Sequence, residues 1–570
     1  MSLAAAQCGG NCLHGRVKGE MSGRVTEELS RGIEVALRAA GLQPPADLFW
    51  EVPREESHGD YATNVAMLLA KSVRRPPRQL AELIVKHLPP LPPVERVEVA
   101  GPGFLNVFLT PQWCATALRE ILAGGDSYGE KEPGTGPRVR IEFVSANPTG
   151  PLVVVNGRAA AVGDSLARIL RFQGCTVLTE YYVNDAGNQF ETLARSLEIR
   201  IRQLRGEAVE LPENAYPGEY LIDIARDYLA SAPGGGDALT KDQLDRLGRY
   251  AVARIVEGQR KTLRDYGVEF DRWASEEETV RSPRLPEQAI AALTAKGLTY
   301  EAEGALWFRA TEFDDEKDRV LVKSDGELTY FAADIAYHLF KFQDVDRVID
   351  LLGPDHHGYV PRIAAAMRAF GKPAQAFGVL VVQLVNLLRD GQPVRMSKRT
   401  GDFVTLEELI SEVGKDAARF TFLTRRHDSP LDFDLDVVTR QSSENPVYYV
   451  QYCHARIASI FQHLREKKLT EPEWDRVDLN LLTLPEELSL IKRLLQFPDL
   501  VAGAALALEP HRVAYYLQEL AQLFHPYYNH HRVIGDDLGL THARLALARA
   551  VGQVVRNGLR LLGVSAPEKM

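Results

Sequence analysis

The stretch from Val139 to Arg168, VRIEFVSANPTGPLVVVNGRAAAVGDSLAR, decides the fold of this chain. Residues 139–144 alternate polar and apolar side chains and are rich in β-branched residues, which predicts a β-strand. Residues 147–151 contain two prolines and a glycine and predict a turn, and from Gly157 onward apolar residues recur at helical spacing. The stretch is therefore predicted to fold as strand, loop and helix. Ligands of open α/β sheets collect where such strands end.

The same alternation continues through the middle of the chain. Strand-like runs at residues 176–183, 347–352 and 379–387 alternate with long helical patterns, which is typical of a parallel sheet with helices on both faces. No Gly-x-x-x-x-Gly-Lys-Ser/Thr sequence occurs, so a P-loop does not hold the phosphates of any nucleotide. Four further motifs follow in order: YYVNDAGNQ at 181–189, YFAADIAYH at 330–338, GPDHHGY at 353–359 and RMSKR at 395–399.

Together with the first stretch, these motifs resemble a class I aminoacyl-tRNA synthetase, specifically the bacterial-type arginyl-tRNA synthetase family, over residues 25–570. The resemblance implies a multidomain α/β plus all-α chain with a Rossmann-like parallel-sheet catalytic domain. It also implies a small N-terminal α/β domain and a C-terminal helix bundle. The expected divisions are a loose leader at 1–22, an N-terminal tRNA-elbow-binding domain at 23–130, a catalytic domain at 131–435 with an insertion at about 204–240, and an anticodon-binding domain at 436–570.

Composition agrees with a soluble multidomain protein. The 570 residues are 45% hydrophobic and carry a formal net charge of -10, which argues against a chain that coats nucleic acid non-specifically. The apolar runs are shorter than the ~20 residues that a membrane span needs. Five cysteines cannot form a disulfide framework, so we expect a cytoplasmic protein. Cys8 and Cys12 have no second pair to complete four metal ligands, and no metal site is predicted.

Joining an amino acid to the α-phosphate of ATP passes through a crowded anionic centre, so cations and N–H donors are the groups to look for. RMSKR resembles the family's mobile KMSKS loop, and the resemblance assigns Lys398 to the pyrophosphate. Catalysis is expected from Arg395, Asn156 and Lys398. Mg²⁺ is expected to accompany ATP, with no tightly bound cofactor. The residues expected to bind ATP are Asn147, Pro148, Gly150, Val153, Val155, Asn156, Gly157, Met396, Ser397 and Lys398.

The sequence departs from the family at one turn. Where the family has His, an apolar residue, Gly and His, this chain has Val153, Val154, Val155 and Asn156. In the family the histidines donate hydrogen bonds to the phosphates, and the glycine lets adenine lie against the backbone. Valine donates nothing, whereas Asn156 retains one amide donor. Losing one preorganised donor commonly costs ~2.7–4 kcal/mol in a transition state, so either the surroundings compensate or this chain activates arginine poorly.

A pocket for arginine needs carboxylates and an aromatic face, because a guanidinium presents five donors in a planar fork. Tyr330 and Asp334 lie four residues apart, on one face of a predicted helix. By resemblance these two residues and Glu276 meet the guanidinium, and Glu142 and Asn147 meet the α-amino end. Gln189, His356 and His357 complete the expected pocket, although His356-His357 could also be read as a fragment of a metal site.

Helical patterns at 445–468, 511–533 and 541–564 predict the C-terminal bundle. Aromatic residues beside cations suit stacking on unpaired bases, although core packing is the ordinary role of any one tyrosine. Asn106 in the N-terminal domain resembles a position that meets the D-loop of tRNA; alternatively, it faces solvent from its strand. The residues expected to bind tRNA are Asn106, Tyr448, Tyr449, Tyr452, Arg456 and Arg532.

Two functions of different classes follow. The first is an ATP-dependent ligase that activates L-arginine as arginyl-adenylate and esterifies it to tRNA(Arg). Its expected partners are tRNA(Arg), L-arginine and ATP, with no membrane and a monomeric chain. The second is a catalytically weakened relative that binds tRNA or arginine without efficient adenylation, as the valines suggest. A nucleotidyltransferase of the same superfamily is a weaker third hypothesis, because the long C-terminal bundle disfavours it.

Overall fold

The computed structural model describes residues 24–46, 48–53, 55–231, 239–394 and 404–570. The leader expected at 1–22 and the RMSKR segment at 395–399 lie outside the described residues. No helix in the described ranges combines the length and the apolar character that crossing a membrane requires.

The N-terminal module is a three-stranded antiparallel sheet covered by helices. Its strands are arranged in the order β1-β3-β2. Apolar side chains of the first helix and of the central strand, such as Ile33, Leu37 and Leu105, form its core. The elements are α1 (Arg24–Ala39), β1 (Tyr61–Thr63), α2 (Val65–Val73), α3 (Pro77–His87), β2 (Val94–Ala100), β3 (Phe104–Leu109) and α4 (Pro111–Gly124).

The middle region of the chain contains a five-stranded parallel sheet. The first half of this region comprises β4 (Arg138–Glu142), α5 (Val154–Phe172), β5 (Thr176–Val183), α6 (Asn188–Leu204), α7 (Tyr220–Ser231), α8 (Lys241–Asp265), β6 (Arg272–Ser275), α9 (Leu285–Ala295), β7 (Thr299–Ala302), β8 (Ala305–Phe308) and β9 (Arg319–Val322). The second half comprises α10 (Tyr330–Lys341), β10 (Arg347–Leu352), α11 (Val360–Ala369), β11 (Phe377–Val381), β12 (Val385–Arg389), β13 (Gln392–Pro393), α12 (Leu406–Val413), α13 (Lys415–Phe422), β14 (Leu431–Asp434) and α14 (Leu435–Thr439).

The strand order of the parallel sheet is β11-β10-β4-β5-β6, with β4 at its centre. The chain moves outward from β4 to β6 on one side and later fills the other side with β10 and β11. The direction of winding therefore reverses between β4 and β10. Crevices at such reversal points, beyond the carboxyl ends of the strands, are where open α/β sheets bind ligands.

The C-terminal region is a bundle of five longer helices: α15 (Pro446–Glu466), α16 (Pro485–Leu495), α17 (Phe497–Ala507), α18 (His511–His530) and α19 (Leu538–Leu561). Asn445 and Asp537 cap the first and last of these helices, because their side-chain oxygens accept hydrogen bonds from backbone N–H groups of the first turn. The bundle core is continuous with the core around α5.

The structure corrects several predicted elements. The helix after the first turn begins at Val154, three residues before the predicted Gly157. The run at 379–387 is two strands, β11 and β12, interrupted at residues 382–384. The insertion expected at about 204–240 contains a helix, α7, whose Leu221 and Ala225 are buried. Two bundle helices, α16 and α17, were not predicted.

Candidate active site

Three acidic side chains line the point where the winding of the sheet reverses. Glu142, the last residue of β4, pairs in register with Asp350 of β10 on one side and with Glu180 of β5 on the other. All three are buried. Glu180 is neutralised by Arg140, whose Nη1 lies 3.1 Å from its carboxylate, and accepts a hydrogen bond from the Tyr337 hydroxyl at 2.6 Å. The other two acids share a lysine.

Lys341, at the end of α10, lies between Glu142 and Asp350. Its Nζ is 2.5 Å from Glu142 Oε2 and 2.7 Å from Asp350 Oδ1, and its side chain is 1% exposed. His338 Nε2 approaches Asp350 Oδ2 at 2.8 Å. Burial alone would lower the pKa of Lys341, but the two carboxylates outweigh it and raise that pKa. Lys341 is therefore a buried cation beneath the predicted pocket.

The two carboxylates respond differently to this cation. Burial would raise the pKa of Asp350, but Lys341 and His338 hold it at about 2. Burial raises the pKa of Glu142 above its ordinary value, and Lys341 opposes this shift while Asp350 adds to it. The Ser145 hydroxyl donates to Glu142 Oε1 at 2.8 Å. The ionised state of Glu142 thus depends on the donors around it.

The predicted guanidinium-binding residues come together at the start of α10. Thr329 caps this helix, and Tyr330 is its first residue, with 69% of its surface exposed. Asp334 lies one turn further along. Burial, reinforced by repulsion from the Glu276 carboxylate, raises the pKa of Asp334 to about 8. Glu276 and Asp334 therefore lie within electrostatic reach of each other, as a fork for a guanidinium requires.

Glu276 has hydrogen-bond partners within the chain. Arg281 Nε donates to Glu276 Oε1 at 2.7 Å. With its amide nitrogen turned toward acceptors, Asn184 donates to Glu276 Oε2 at 3.0 Å. Sequence reasoning missed Arg281, Lys341 and Asp350. The spacing of seven residues between Asp334 and Lys341 places both on one helix face, and this signal could have revealed the lysine.

The loop between β4 and α5 is held by three side chains. Gln259 Nε2 donates to the carbonyls of Asn147 at 3.3 Å and Gly150 at 2.9 Å, and its Oε1 accepts from the Tyr181 hydroxyl at 2.9 Å. The Tyr220 hydroxyl of α7 donates to the Thr149 carbonyl. These contacts hold the predicted ATP-binding loop against α7 and α8. The Asn147 side chain is exposed, and Pro148 is buried.

Two residues of this loop adopt conformations that L-amino acids rarely occupy. Val144 has φ 68° and Ser145 has φ 38°. A β-branched residue with positive φ is strained, and such strain persists only where the surrounding structure imposes it. These backbone conformations turn the chain sharply after Glu142. They bring the Ser145 hydroxyl back to the Glu142 carboxylate.

The turn that departs from the family forms the first turn of α5. Val153 precedes the helix, and its N–H donates to Asn156 Oδ1 at 2.9 Å. Within the described part of the chain, Asn156 Nδ2 has no hydrogen-bond partner. Val153 also forms an antiparallel bridge with Thr405, and the N–H of Leu406 donates to the Leu152 carbonyl at 2.8 Å. The segment that begins at residue 404, beyond the RMSKR motif, is thus attached to this turn.

Other predicted site residues are exposed or lie outside the described part of the structure. Gln189 is exposed at the start of α6. His356 is exposed in a helical turn after β10 and approaches Asp355 at 3.4 Å. The side chain of His357 and the residues Arg395, Met396, Ser397 and Lys398 lie outside the described part of the structure. Among the described residues, no group of three or more His, Cys, Asp or Glu side chains is arranged to hold a metal ion.

An aromatic and cationic surface runs along α15 and α18. The rings of Tyr448 and Tyr452 stack at 5.6 Å, and the Arg456 guanidinium lies 4.6 Å from the Tyr452 ring and 5.1 Å from the Tyr528 ring. His525 Nδ1 lies 3.0 Å from Arg456 Nη1. These rings are half-buried. We call Tyr448, Tyr452, Arg456 and Tyr528 the stacked surface.

Three other residues expected to bind tRNA lie elsewhere. Tyr449 packs against the core of the bundle, with its ring 4.4 Å from that of His525. Arg532 is exposed after the end of α18. Asn106 lies on the central strand of the N-terminal sheet and is 5% exposed, so the interpretation that it faces solvent is wrong. Its neighbours on both sides are strands, which the alternating sequence pattern did not reveal.

Comparisons with known proteins agree with this arrangement. A family model described as the class I (R) tRNA synthetase catalytic domain matches residues 117–428. Models of the arginyl tRNA synthetase N terminal domain and the DALR anticodon binding domain match residues 27–109 and 450–570. The parallel sheet, its acidic crevice and these matches define a class I aminoacyl-tRNA synthetase fold.

Individual relatives narrow the class to one family. The chain is 50% identical to the "Arginine--tRNA ligase" of Syntrophotalea carbinolica over 93% of this chain and 96% of that protein. It is 46% identical to the "Arginine--tRNA ligase" of Symbiobacterium thermophilum over 97% of this chain and all of that protein. The solved Thermus thermophilus arginyl-tRNA synthetase is 25% identical, with a TM-score of 0.77, over 95% of this chain and all of that one. The chain belongs to the arginyl-tRNA synthetase family.

Proposed function

We propose that this chain is an ATP-dependent arginine–tRNA ligase, which forms arginyl-adenylate and transfers the arginyl group to tRNA(Arg). One observation carries the proposal: Glu142, Glu276 and Asp334 gather in the crevice where the sheet reverses its winding, in a chain of the arginyl-tRNA synthetase family. A pocket with this density of carboxylates selects a ligand with two cationic ends. Arginine, with an α-ammonium and a guanidinium, is such a ligand.

The acids divide between the two ends of the substrate. Asp334 and Glu276 face the guanidinium, and the ring of Tyr330, which is exposed in the free protein, covers it. Glu142, held by Lys341 and Ser145, and the exposed Asn147 meet the α-amino end. Gln189, His356 and His357 complete the pocket wall. This orientation points the substrate carboxylate toward the loop between β4 and α5, where ATP is expected to bind.

The chemical step requires the substrate carboxylate to attack the α-phosphate of ATP while diphosphate leaves. The chain supplies a loop fixed by Gln259 and a helix N-terminus at Val154, where backbone N–H groups suit phosphate. Asn156 Nδ2 donates from the same turn, and Arg395 and Lys398 contact the leaving diphosphate. Mg²⁺ accompanies the ATP phosphates, which are hard oxygen ligands. The other residues of the proposed ATP site are Asn147, Pro148, Gly150, Val153, Val155, Gly157, Met396 and Ser397.

We propose that tRNA contacts this chain at two places. The stacked surface on α15 and α18 presents rings and a guanidinium that suit unpaired anticodon bases, with Tyr449 and Arg532 beside it. The N-terminal module, with Asn106 on its central strand, meets the tRNA elbow. We propose domain bounds of 23–130, 131–435 and 436–570, a monomer and a cytoplasmic location.

The second function, binding without efficient adenylation, rests on Val153, Val155 and Asn156 alone. The match to arginyl-tRNA synthetases over nearly the whole chain does not favour it. Two features support catalysis at this turn despite the valines. Asn156 Oδ1 caps the turn and leaves its nitrogen to donate, and the bridge to Thr405 attaches the segment that follows the RMSKR motif.

Arginine-dependent ATP–pyrophosphate exchange in the presence of tRNA(Arg) tests the proposal. The parent chain is compared with the variant carrying Val153→His, Val155→Gly and Asn156→His. Exchange by the parent supports the ligase. A parent that binds arginine and tRNA(Arg) without exchange, and a variant that gains exchange by about tenfold to hundredfold per restored donor, would support the binding function instead.

A further inference from the structure

We propose that Lys341 is a positioning residue for arginine recognition, which keeps Glu142 ionised and aimed at the α-ammonium of the substrate. The proposal deepens the proposed function and rests on it, since it requires arginine to be the ligand of this pocket. Lys341 itself is 1% exposed and lies beneath the pocket, so it acts through Glu142 and not by touching the substrate.

The geometry couples the lysine to one particular carboxylate oxygen. Lys341 Nζ lies 2.5 Å from Glu142 Oε2, and the Ser145 hydroxyl donates to Glu142 Oε1 at 2.8 Å. These two contacts fix the carboxylate plane at the end of β4. The strained φ of Ser145, 38°, is what turns its hydroxyl toward this oxygen. The carboxylate is thereby oriented before any ligand arrives.

The charge balance makes the lysine necessary. Glu142 lies within electrostatic reach of Lys341, Tyr337 and Asp334 from α10, of Asp350 from β10 and of Tyr182 from β5. Its register neighbour on β5, Glu180, is paired with Arg140. Glu276 adds a further carboxylate at the pocket wall. Asp350 is 2.7 Å from the same ammonium, so Lys341 serves two acids. Without it, two buried carboxylates at adjacent register positions would repel each other.

Removal of the lysine should change the protonation of Glu142, and a loss of packing alone would not do so. A buried carboxylate that loses its cation takes up a proton, and a neutral carboxyl no longer attracts an ammonium group. Each unit of upward shift in the pKa of Glu142 reduces its ionised fraction at neutral pH by up to about tenfold. Arginine affinity should then fall at pH 7 and recover as the pH rises, whereas ATP affinity should not change.

The test is titration calorimetry of arginine into the full chain from pH 6.5 to 9.5, for the parent, Lys341→Met and Lys341→Gln. The glutamine variant keeps hydrogen-bond donors without charge and serves if the methionine variant fails to fold. Affinities are expressed as the ratio of variant to parent at each pH, so that titration of the ligand's own amino group cancels. Arg544→Met, which removes a cation 2.8 Å from the buried Glu487 in the distant bundle, is the control for general destabilisation.

The loss of Lys341 also affects Asp334, whose pKa the lysine lowers. A second set of variants in a Glu142→Gln background separates the two acids, because any effect that passes through Glu142 disappears there. We expect the lysine variants to bind arginine at least about tenfold more weakly than the parent at pH 7, and we expect this deficit to shrink as the pH rises. In the Glu142→Gln background the lysine variants should differ less than about threefold from their own parent.

Three results would overturn the proposal: lysine variants with parental arginine affinity, a deficit that is equal at every pH, or a deficit that survives intact in the Glu142→Gln background. A parent that does not bind arginine at any pH would instead refute the proposed function. The control variant should bind arginine as the parent does, and weaker binding by that variant would attribute the effect to lost stability.

Discussion

At the scale of single residues, Asp334 links pH to arginine recognition. Burial and the nearby Glu276 raise its pKa from an ordinary value of 3.8 to about 8, so the folded protein holds a proton there at pH 7. A raised pKa of an acid makes folding less favourable as the pH rises from the unfolded pKa toward the folded one. A guanidinium bound beside Asp334 favours the ionised form. Arginine binding should therefore expel a proton.

We predict that arginine affinity of the parent rises as the pH increases toward 8, and that Asp334→Asn removes this part of the pH dependence. The substitution should weaken arginine binding by ~1.5–3 kcal/mol, the usual value of a hydrogen bond to a charged group, and leave ATP binding unchanged. Calorimetry at pH 7.5 in two buffers with different ionisation enthalpies measures the released proton. Equal proton release by parent and variant would show that Asp334 is not the group that titrates.

The sequence pointed to some residues of this proposed pocket and missed others. Tyr330 and Asp334 occur in the motif at 330–338, whose resemblance to a family is readable from the chain, and the same resemblance assigned Glu276. The contact of Lys341 with Glu142 became visible only through the fold, because α10 and the end of β4 bring residues about 200 positions apart into contact. Burial of a lysine is not predictable from a helical pattern in which lysine normally faces water.

At the scale of elements, the approach of α5 to β4 depends on a glycine. A Cβ at Gly163 would lie 2.3 Å from the Phe143 ring, whereas a Cβ at Gly258 in α8 meets nothing within 4 Å. Both glycines are inside helices, where alanine is otherwise favoured by about 1 kcal/mol. The two positions therefore form a matched pair that isolates packing from helix propensity.

We predict that Gly163→Ala destabilises the chain by about 1–3 kcal/mol, because the added methyl group overpacks the contact with Phe143. Gly258→Ala should stabilise the chain by about 0.5–1 kcal/mol. Chemical denaturation with both variants measures the difference. If Gly163→Ala were as stable as Gly258→Ala, Phe143 would have space to move and the close approach would not be required.

The secondary-structure predictions were correct where one sequence pattern covered a whole element. The runs at 176–183 and 347–352 are β5 and β10, with the same bounds. The prediction failed where two elements share one apolar run, as in β11 and β12. It also failed for α16 and α17, which have a proline at their first and second position respectively and are separated by the single residue Gln496. Short connections of this kind give no loop signal for sequence reasoning to use.

At the scale of the molecule, the bundle is attached to the helix that carries the proposed ATP turn. Arg419 of α13 is fully buried, contacts Asp164 of α5 and donates to the Leu562 carbonyl, just after α19, at 3.0 Å. The Ser165 hydroxyl donates to the same carbonyl at 3.3 Å. The N-terminal module is also tied to the bundle, since Lys492 pairs with Asp60 at 2.9 Å. The three parts are thus joined through specific polar contacts that no sequence pattern indicated.

We predict that Arg456→Ala weakens tRNA(Arg) binding by ~1–3 kcal/mol, the range for a base stacked on a side chain, and leaves arginine binding unchanged. Arg465→Ala, which removes an exposed cation from the same helix, should have a smaller effect. Filter binding at fixed salt measures both variants, because salt itself changes such affinities. Equal losses in the two variants would indicate that only net charge matters and that the stacked surface does not contact bases.

The central claim is that this chain charges tRNA with arginine although its turn at 153–156 lacks the family's histidines. The most direct measurement is transfer of radiolabelled arginine to tRNA(Arg) by the purified full chain with ATP and Mg²⁺. Lysine serves as the competing amino acid, because its side chain ends in an ammonium group and that of arginine ends in a planar guanidinium. We predict ATP-dependent formation of arginyl-tRNA and no detectable lysyl-tRNA. A folded chain that binds arginine and tRNA(Arg) but forms no arginyl-tRNA would contradict the claim.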